Sequence, residues 1–480
     1  MNIRLILRAL GLVLLCEAAA MVPSLLMPFY YGESDWLAFL ASLAVTALAG
    51  GLLSLLGNRK GSVGYREGFA VAAFGWMLLA VFGSLPYLFS GVLTSPVDAF
   101  FETMSGFTTT GASVIADVEI LPHGILLWRS LTHWLGGMGI IVLTVALIPS
   151  LKIAGLQMFK AEVPGPTKSK VLPRIAQTSR ELYKIYVLLT VSMVILLKLA
   201  GMNWFDSLIH TFGTVATGGF SSRNASIAAY DSLLVEGIII FFMILSGINF
   251  ALHYFSLRGN FRPTLKDPEV RLYLGIIGVS VCLITVNLVF SSGYGAGAAV
   301  RQSFFQVASI MTTTGYATAD FDQWPSMSKM VLLVLMFVGG CAGSTGGGIK
   351  VSRILILIKG ISRQIMKLLH PQAVLPLRVG KNIVSNDVLD NVQTFFFLYI
   401  LILGTAVLFV TSQGIDLMTS ISAVAATLGN VGPGFGAVGP MTNFFALPAS
   451  VKVVLSLCML IGRLEIYTIL VILSTRFWRS

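Results

Sequence analysis

The sequence predicts an all-α polytopic membrane protein, in which two N-terminal transmembrane helices precede four parallel helix–half-helix–helix repeats around one central axis. Three observations carry this prediction. Of the 480 residues, 56% are hydrophobic and 11% are charged, whereas about a quarter of the residues of a soluble protein are charged. Ten apolar stretches are long enough to span a bilayer, and four shorter segments rich in Thr and Gly recur between the later stretches. The chain is therefore expected to lie in a membrane.

The spans account for most of the chain, because a transmembrane helix needs about 20 mostly apolar residues. The first stretch has the basic start of a signal peptide, but its apolar run continues to Phe29 and a second span follows. We therefore interpret it as a retained helix. The predicted spans are residues 5–30, 36–57, 68–92, 124–150, 183–201, 233–256, 271–291, 329–358, 390–413 and 448–475.

Basic residues are distributed unevenly between the connecting segments. Segments 85–100 and 114–124 contain no Lys or Arg. Cytoplasmic segments of membrane proteins carry an excess of these residues, so both termini are predicted to be cytoplasmic. The net charge of +11 therefore indicates orientation in a membrane and not nucleic-acid binding. Most of the 32 Lys and Arg residues lie at the two termini and in segments 59–66, 152–184, 258–271 and 350–381.

Four segments are too short to cross the bilayer and follow a shared plan. Each begins with a short helical pattern and continues in Thr- and Gly-rich sequence, as in FTTTGAS and MTTTGYAT. Half-helices of this kind are typical of re-entrant segments, which enter and leave the membrane on one side. They cover residues 96–113, 204–222, 300–320 and 416–436.

One glycine in each segment aligns the four. Gly111, Gly218, Gly315 and Gly432 are separated by 107, 97 and 117 residues, and such near-equal spacing indicates an internal repeat. The repeat divides the chain into five predicted segments. These are 1–66 with the two extra helices, 67–165 as repeat 1, 166–260 as repeat 2, 261–380 as repeat 3 with an intramembrane loop, and 381–480 as repeat 4.

Glycine and threonine at membrane depth favour a pore lined by backbone carbonyls. Irregular backbone is tolerated there only where it is buried in protein or lines a water-filled path. Glycine adopts conformations closed to other residues, and a ring of carbonyls replaces the water shell of a dehydrated monovalent cation. The alternative, that these segments are packing loops, is disfavoured by the repeated spacing. The predicted filter residues are Thr110, Gly111, Thr217, Gly218, Thr314, Gly315, Asn430, Val431 and Gly432.

The eighth predicted span contains the string FVGGCAGSTGGGIK, residues 337–350. Glycine at this density unwinds a helix. The string lacks the Gly-Lys-Ser/Thr of a phosphate-binding loop, so we reject a nucleotide site. Close helix packing through small residues and a flexible loop that obstructs the pore both remain open. The residues concerned are Gly339, Gly340, Gly343, Ser344, Thr345, Gly346, Gly347 and Gly348.

Arg463 lies in the middle of the tenth predicted span. A lone basic residue at that depth costs roughly 2.5–3.5 kcal/mol on insertion scales, so its side chain should face water or a polar partner. We expect Ser344, Thr345 or the carbonyls of the glycine-rich loop to face the guanidinium. His133 and His210 are interpreted as hydrogen-bonded packing residues.

Three acidic residues follow the filter segments in the sequence. Asp117 and Glu119 come after the first segment and Asp320 after the third. Carboxylates at the outer mouth of a pore attract cations. The filter segments themselves contain no carboxylate ring of the kind that a divalent-selective pore would use.

The chain resembles the Trk/Ktr/HKT superfamily of potassium transporters over essentially its whole length. A glycine in all four loops is similar to the potassium-selective members, whereas sodium-selective relatives tend to carry serine in the first loop. Asn430 and Val431 replace the Thr-Thr of the pattern, so the ring is not fourfold-equivalent. The resemblance rests on FTTTGAS, VATGGFSS, MTTTGYATADFDQWP, LGNVGPGFG, GGCAGSTGGGIK, GRLEIYT and the two extra N-terminal spans.

This resemblance implies a potassium-channel-like central pore with potassium as the transported ion and no organic cofactor in the chain. It implies that the glycine-rich loop gates the pore and that Arg463 lies on the ion path as a barrier. It also implies a homodimer with one pore per subunit, bound to a cytoplasmic ring of TrkA-type nucleotide-binding regulatory subunits. The basic connectors 151–182 and 359–389 are the expected docking face, with Lys168, Lys170 and Arg174 in the first.

The predicted function is potassium uptake across a bacterial inner membrane by a multi-pass protein that is not an enzyme and binds no nucleic acid. A less selective potassium and sodium channel and a potassium symporter coupled to H⁺ or Na⁺ are alternatives. A secondary transporter with a midplane site would need inverted halves and charged residues facing the pore, whereas this sequence contains parallel repeats. An intramembrane enzyme would need a Ser/His or paired-Asp constellation within the spans, and the sequence contains none.

Overall fold

The computed structural model describes residues 1–57, 65–146, 175–380 and 382–478. The predicted docking residues Lys168, Lys170 and Arg174 lie outside the described residues, as does most of connector 151–182. The described chain is predominantly helical, with one short β-hairpin. This architecture confirms the predicted all-α class, while the boundaries of the five segments stay predictions.

The first two helices form an antiparallel hairpin that packs at close range. Helix α1 (Ile3–Tyr31) ends at Gly32, whose φ of 72° is in the left-handed region, and α2 is Trp36–Leu56. A Cβ on Gly11 would lie 2.6 Å from the carbonyl oxygen of Gly50, so the two backbones approach too closely for larger side chains. Small residues at such crossings are typical of membrane helix pairs.

The remaining elements follow the predicted order of spans and half-helices. The four half-helices are α5 (Pro96–Phe107), α8 (Trp204–Val215), α13 (Ala296–Met311) and α17 (Leu417–Leu428), and each lies between apolar helices. The helices after the first hairpin are α3 (Tyr65–Gly83), α4 (Leu85–Phe89), α5 (Pro96–Phe107), α6 (His123–Ala146), α7 (Ile175–Leu199), α8 (Trp204–Val215), α9 (Leu233–Ser246), α10 (Phe250–Leu257), α11 (Arg262–Lys266), α12 (Pro268–Ser292), α13 (Ala296–Met311), α14 (Ser326–Phe337), α15 (Val351–Leu369), α16 (Asn386–Ser412), α17 (Leu417–Leu428), α18 (Ala449–Arg463), α19 (Tyr467–Leu473) and α20 (Thr475–Trp478).

Six helical spans among the described residues are long and apolar enough to cross a membrane, and eight if two bent pairs each count as one span. The bends were not predicted. Helices α9 and α10 meet at 105° and α18 and α19 at 112°, although the sequence predicted continuous spans over 233–256 and 448–475. At the second bend Glu465 and Ile466 have φ values of 59° and 45°, a conformation that is rare for residues other than glycine.

A short β-hairpin lies in the connector between repeats 3 and 4, where the sequence predicted only basic, polar chain. Strands β1 (Leu377–Val379) and β2 (Asn382–Val384) pair antiparallel. Their buried side chains pack against Leu355 and Ile356 of α15 and Val388 and Val392 of α16. The hairpin therefore shares a small apolar core with α15 and α16.

Candidate functional site

Capping side chains fix the start of three of the four half-helices, and each half-helix leads directly into an irregular loop. Ser95, Asn203 and Asp416 cap three of them by accepting a hydrogen bond from a backbone N–H in the first turn, whereas Gly295 has no capping side chain. The C-terminus of a helix carries a partial negative charge that favours cations. We name the following segments loop 1 (108–114), loop 2 (216–222), loop 3 (312–318) and loop 4 (429–435).

The loops share one backbone conformation. Each contains a left-handed residue, one intervening residue and then a left-handed glycine. The first left-handed residues are Thr109, Thr217, Thr313 and Asn430, with φ of 53°, 57°, 59° and 54°. The glycines are Gly111, Gly219, Gly315 and Gly432, with φ of 81°, 81°, 82° and 104°.

This pattern corrects the alignment of loop 2. The sequence matched Gly218 to Gly111, but Gly219 has the corresponding conformation and Gly218 corresponds to Thr110. The hydrogen bonds agree with the corrected register, because the N–H of the intervening residue always donates to the carbonyl five residues earlier. These bonds are Thr110 to Ser105 (2.9 Å), Gly218 to Gly213 (2.7 Å), Thr314 to Ser309 (2.8 Å) and Val431 to Ala426 (2.8 Å).

The four loops close into a ring through contacts between neighbouring backbones. In every case the carbonyl of an intervening residue lies against the glycine of the next loop around the ring. A Cβ on that glycine would lie under 3.0 Å from the carbonyl oxygen, which requires a shift. The distances are 2.0 Å for Gly111 and Gly218 O, 1.9 Å for Gly219 and Thr314 O, 2.2 Å for Gly315 and Val431 O, and 2.7 Å for Gly432 and Thr110 O.

Side chains near the ring break its fourfold symmetry. In loops 1 and 3 two threonine hydroxyls bond to each other, Thr108 to Thr110 at 2.8 Å and Thr312 to Thr314 at 2.7 Å. In loop 4, Nδ2 of Asn430 instead donates to Thr110 Oγ1 and to the Met459 carbonyl, both at 3.0 Å. Asn430, which replaces a threonine of the family pattern, therefore links loop 4 to loop 1 through its side chain.

The glycine-rich segment 338–350, which we call the intramembrane loop, separates α14 from α15. A parallel bridge between Val338 and Ile349 closes its base. Gly339 N–H donates to the Ile349 carbonyl and Ile349 N–H to the Phe337 carbonyl, each at 3.0 Å. The segment is thus a loop closed at its base and not a continuous helix, in agreement with the unwinding that its glycine content predicted.

The tip of the intramembrane loop lies against the C-terminal ends of several half-helices. Thr345 Oγ1 donates to the carbonyl of Val215, the last residue of α8, at 3.1 Å. Gly347 N–H donates to Thr313 Oγ1 in loop 3 at 2.7 Å. A Cβ on Gly347 would lie 2.4 Å from the carbonyl oxygen of Gly429 in loop 4. The loop therefore reaches repeats 2, 3 and 4 directly beside the ring.

Arg463 joins the intramembrane loop to the first repeat. Its Nη1 donates to the Thr345 carbonyl at 2.8 Å and its Nη2 to the Gly136 carbonyl at 3.3 Å. Its side chain is buried, and Nε has no hydrogen-bond partner among the described residues. A Cβ on Gly136 would lie 2.0 Å from the carbonyl oxygen of Phe107, the last residue of α5. The structure thus brings Arg463 and the intramembrane loop into contact, as we expected from the sequence.

Sequence reasoning missed a carboxylate that holds the intramembrane loop from its other side. Oε1 of Glu269, in the first turn of α12, accepts hydrogen bonds from Ala342 N–H at 2.7 Å and Ser352 N–H at 2.8 Å. It therefore binds the loop and the start of α15 together. The available signal was an acidic residue between a helix cap and an apolar span, which is also the ordinary signature of a helix N-terminus.

A second missed group lies on α5 and α6, where Glu102 and Arg129 form a buried ion pair beside loops 1 and 2. The two histidines are hydrogen-bonded as expected. His133 Nδ1 lies 2.7 Å from the Gly106 carbonyl, and His210 lies 2.8 Å from the Asp206 carbonyl and 3.0 Å from Ser221 Oγ. A charged residue within an apolar segment was the signal for Arg129.

The acidic residues expected at the outer mouth have specific protein partners. The Asn224 amide donates to Asp117 Oδ1 at 2.7 Å, and this bond lowers the pKa of the Asp117 carboxyl below its usual value. Glu119 lies 3.7 Å from Arg223, and Asp320 accepts from the backbone of Asp322 at 3.2 Å. These bonds fix the positions of the three carboxylates, and their role in attracting cations stays a prediction.

Comparisons with known proteins show which family the chain resembles and support the overall fold. The family model described as TrkH, cation transport protein, matches residues 37–479. The chain is 41% identical over 485 residues to the Trk system potassium uptake protein TrkH of Halomonas elongata and 41% identical over 486 residues to that of Escherichia coli K12, with 100% of each chain covered. It is similar to the crystal structure of the potassium transporter TrkH from Vibrio parahaemolyticus, with a TM-score of 0.92, 38% identity and full coverage of both chains.

Proposed function

Because the chain belongs to the TrkH family of cation transport proteins, we propose that it takes up potassium across a bacterial inner membrane through the ring formed by loops 1 to 4. Its relatives are named potassium uptake proteins. The observation that carries the proposal is the closed contact between each ring glycine and the carbonyl of a neighbouring loop. Such a ring encloses a single axis at the ends of four half-helices.

The chemistry of the ring fits a dehydrated monovalent cation. Carbonyl oxygens replace the hydration shell of potassium without a formal negative charge. The C-terminal ends of the half-helices add partial negative charge beside the loops. The proposed filter consists of the intervening residues Thr110, Gly218, Thr314 and Val431 with the ring glycines Gly111, Gly219, Gly315 and Gly432. Compared with the set expected from the sequence, it has Gly219 in place of Thr217 in loop 2 and omits Asn430 of loop 4.

The intramembrane loop and Arg463 form the proposed gate. They contact the half-helix ends or loops of repeats 2, 3 and 4 and, through Arg463, Gly136 on α6 of repeat 1, so a cation leaving the ring towards them meets backbone and a buried guanidinium. A fixed positive charge in a poorly solvated place opposes the passage of a cation. The gate is therefore both steric and electrostatic.

The proposal also covers the orientation of the chain in the membrane, its regulatory partner and its oligomeric state. Both termini are cytoplasmic because the basic connectors share their side. The exposed Lys359, Lys367 and Arg378 belong to the connector 359–389, which with connector 151–182 would receive a TrkA-type nucleotide-binding ring. The homodimer rests on the family resemblance, and the partner rests also on the name of the relatives, which assigns them to a Trk system.

A second candidate function is a cation channel that discriminates weakly between potassium and sodium. The specific observation in its favour is the Asn430 link between loops 4 and 1, which has no counterpart in the Thr–Thr bonds of loops 1 and 3. Loops with different side-chain bonds restrain their carbonyl oxygens to different extents. Selectivity between potassium and sodium depends on the positions of these oxygens. An ion-coupled symporter is a further form of the same proposal.

Flux into liposomes that contain the purified protein tests the proposal. Potassium, sodium and an uncharged organic solute are compared, with and without an imposed proton gradient. Uptake of potassium well above sodium, independent of the proton gradient, supports a selective channel. Equal cation uptake supports the second candidate, and potassium flux that requires the gradient supports a symporter. Uptake of the organic solute alone contradicts a cation pathway.

A further inference from the structure

A buried ion pair lies directly beside loops 1 and 2. Nε of Arg129, on α6, donates to Oε1 of Glu102, on α5, at 2.8 Å, and the two side chains are 3% and 0% exposed. Either charge alone at this depth would be costly. Hydrogen bonds between charged groups are about twice as strong as those between neutral groups, so the pair is a rigid element within a membrane domain.

The ion pair binds the chain that leaves loop 1. Oε2 of Glu102 accepts from the Val114 N–H at 2.9 Å. Ser113 Oγ lies 3.0 and 3.1 Å from the two carboxylate oxygens and 3.2 Å from Arg129 Nη2. Ser113 is only two residues beyond the ring glycine Gly111, so the position of the ring at this point depends on the pair.

The same pair also reaches loop 2. Arg129 Nη1 donates to the Ser221 carbonyl at 3.3 Å, and its guanidinium lies 4.1 Å from the centre of the Phe220 ring. Phe220 follows the ring glycine Gly219 directly. One guanidinium therefore connects the exits of two adjacent loops, which meet in the ring through Gly111 and Gly218.

Each of the other half-helices also holds the exit of its own loop, but with different side chains. His210 Nε2 is 3.0 Å from Ser221 Oγ, and Ser422 Oγ accepts from Phe435 N–H at 2.9 Å. Gln306, with its amide oriented to satisfy its neighbours, accepts from Thr318 N–H at 2.8 Å. Asp206 of α8 also accepts from Ser222 Oγ at 2.6 Å and lies 3.4 Å from Arg223, but that arginine is 41% exposed, whereas both members of the pair at loop 1 are buried.

We infer that Glu102 and Arg129 are positioning residues that determine the preference of the ring for potassium over sodium. They act through loops 1 and 2 and touch no ion themselves. A smaller cation is rejected only if the carbonyls do not close around it, and the ion pair keeps the exits of these loops from moving inward. This inference rests on the proposed potassium filter.

The test replaces both members of the pair, because removing one would leave an uncompensated buried charge. The variant carries Glu102→Gln and Arg129→Gln. Its matched control carries Asp98→Asn and Lys452→Gln, which removes another largely buried pair, 2.7 Å apart, between the first turn of α5 and α18. In the described structure neither control side chain hydrogen-bonds a loop residue. Potassium and sodium uptake are measured separately in liposomes containing each full-length protein.

The uptake ratio of potassium to sodium should fall by about tenfold in the Glu102/Arg129 variant, a change that corresponds to about 1.4 kcal/mol of discrimination. The control should keep the ratio of the unmodified protein. A retained ratio in a folded, conducting Glu102/Arg129 variant overturns the inference, and so does an equal loss of selectivity in the control. An unmodified protein without potassium preference contradicts the proposed function instead.

A milder variant covers the case in which the double replacement does not fold. Ser113→Ala removes the hydroxyl between loop 1 and the ion pair but leaves both charges in place. The inference requires a lower ratio of potassium to sodium uptake in this variant, at unchanged protein yield and elution volume. A ratio equal to that of the unmodified protein overturns it.

Discussion

The guanidinium of Arg463 donates a 2.8 Å hydrogen bond to the carbonyl of Thr345, 118 residues earlier in the chain. This bond joins the C-terminal end of α18 to the tip of the intramembrane loop. Thr345 also bonds Val215 at the end of the second half-helix, and Arg463 also bonds Gly136 in the first repeat. A substitution at either residue is therefore expected to affect the proposed gate more than the ring.

Replacing Arg463 by alanine is expected to raise potassium flux in liposomes that lack any partner subunit. The substitution removes a buried positive charge and one anchor of the loop. We expect about a tenfold increase, which corresponds to a barrier lowered by about 1.4 kcal/mol. The control is Lys359→Ala, which removes an exposed charge from α15. Flux at or below the unmodified level in a folded Arg463→Ala protein would remove Arg463 from the gate.

Deleting residues 343–347 should also raise the basal flux, because the tip of the loop is then too short to reach Val215 and Thr313. The preference for potassium over sodium should persist, since the ring contacts are made by other residues. Both properties are measured in the same liposome assay. An unchanged basal flux, together with a normal elution volume, would assign the glycines to helix packing.

The substitution Glu269→Ala is expected to release the intramembrane loop from α12. Both N–H groups that the carboxylate accepts, those of Ala342 and Ser352, lose their partner. Basal flux should rise several-fold, because hydrogen bonds to a charged group contribute about 1.5–3 kcal/mol each. The matched control is Glu181→Ala, which breaks an exposed pair with Lys184. A lower ratio of potassium to sodium uptake without a rise in flux would contradict a role in the gate.

Gly315→Ser tests the ring itself. The new Cβ would lie 2.2 Å from the Val431 carbonyl oxygen, so that carbonyl must move and selectivity for potassium over sodium should fall by about tenfold. Gly237→Ser is the control, because a Cβ at Gly237 meets no atom within 4 Å. Competitive uptake of the two ions measures the effect. Unchanged discrimination would exclude Gly315 from the filter.

Charge reversal at Lys359, Lys367 and Arg378 should weaken co-purification with a TrkA-type subunit while leaving basal flux within about twofold. The three side chains are exposed on α15 and β1, and surface charges chiefly affect association between proteins. Co-purification is compared at low and raised salt. A complex that survives all three reversals at raised salt places the docking surface elsewhere.

Much of the site was predictable because its signals are local. Glycine at positive φ and threonine beside it recur in short strings, so Gly111, Gly315 and Gly432 were identified correctly as equivalent positions. Loop 2 was misaligned because VATGGFS offers two adjacent glycines, and only the backbone conformation distinguishes Gly219 from Gly218. The bends at 247–249 and 464–466 were missed because each lies within an apolar run that satisfies the hydropathy of one span.

The sequence by itself determined the class of the protein, since hydropathy, the placement of basic residues and a repeat of glycines are properties of the chain before it folds. It also placed Arg463 and the intramembrane loop at comparable depth, because the length of a span relates position to depth. The tertiary structure alone decided which groups meet. Glu102 with Arg129 and Glu269 with Ala342 bring together residues 27 and 73 positions apart. Partner choice at such separations depends on how the helices pack, which no local pattern encodes.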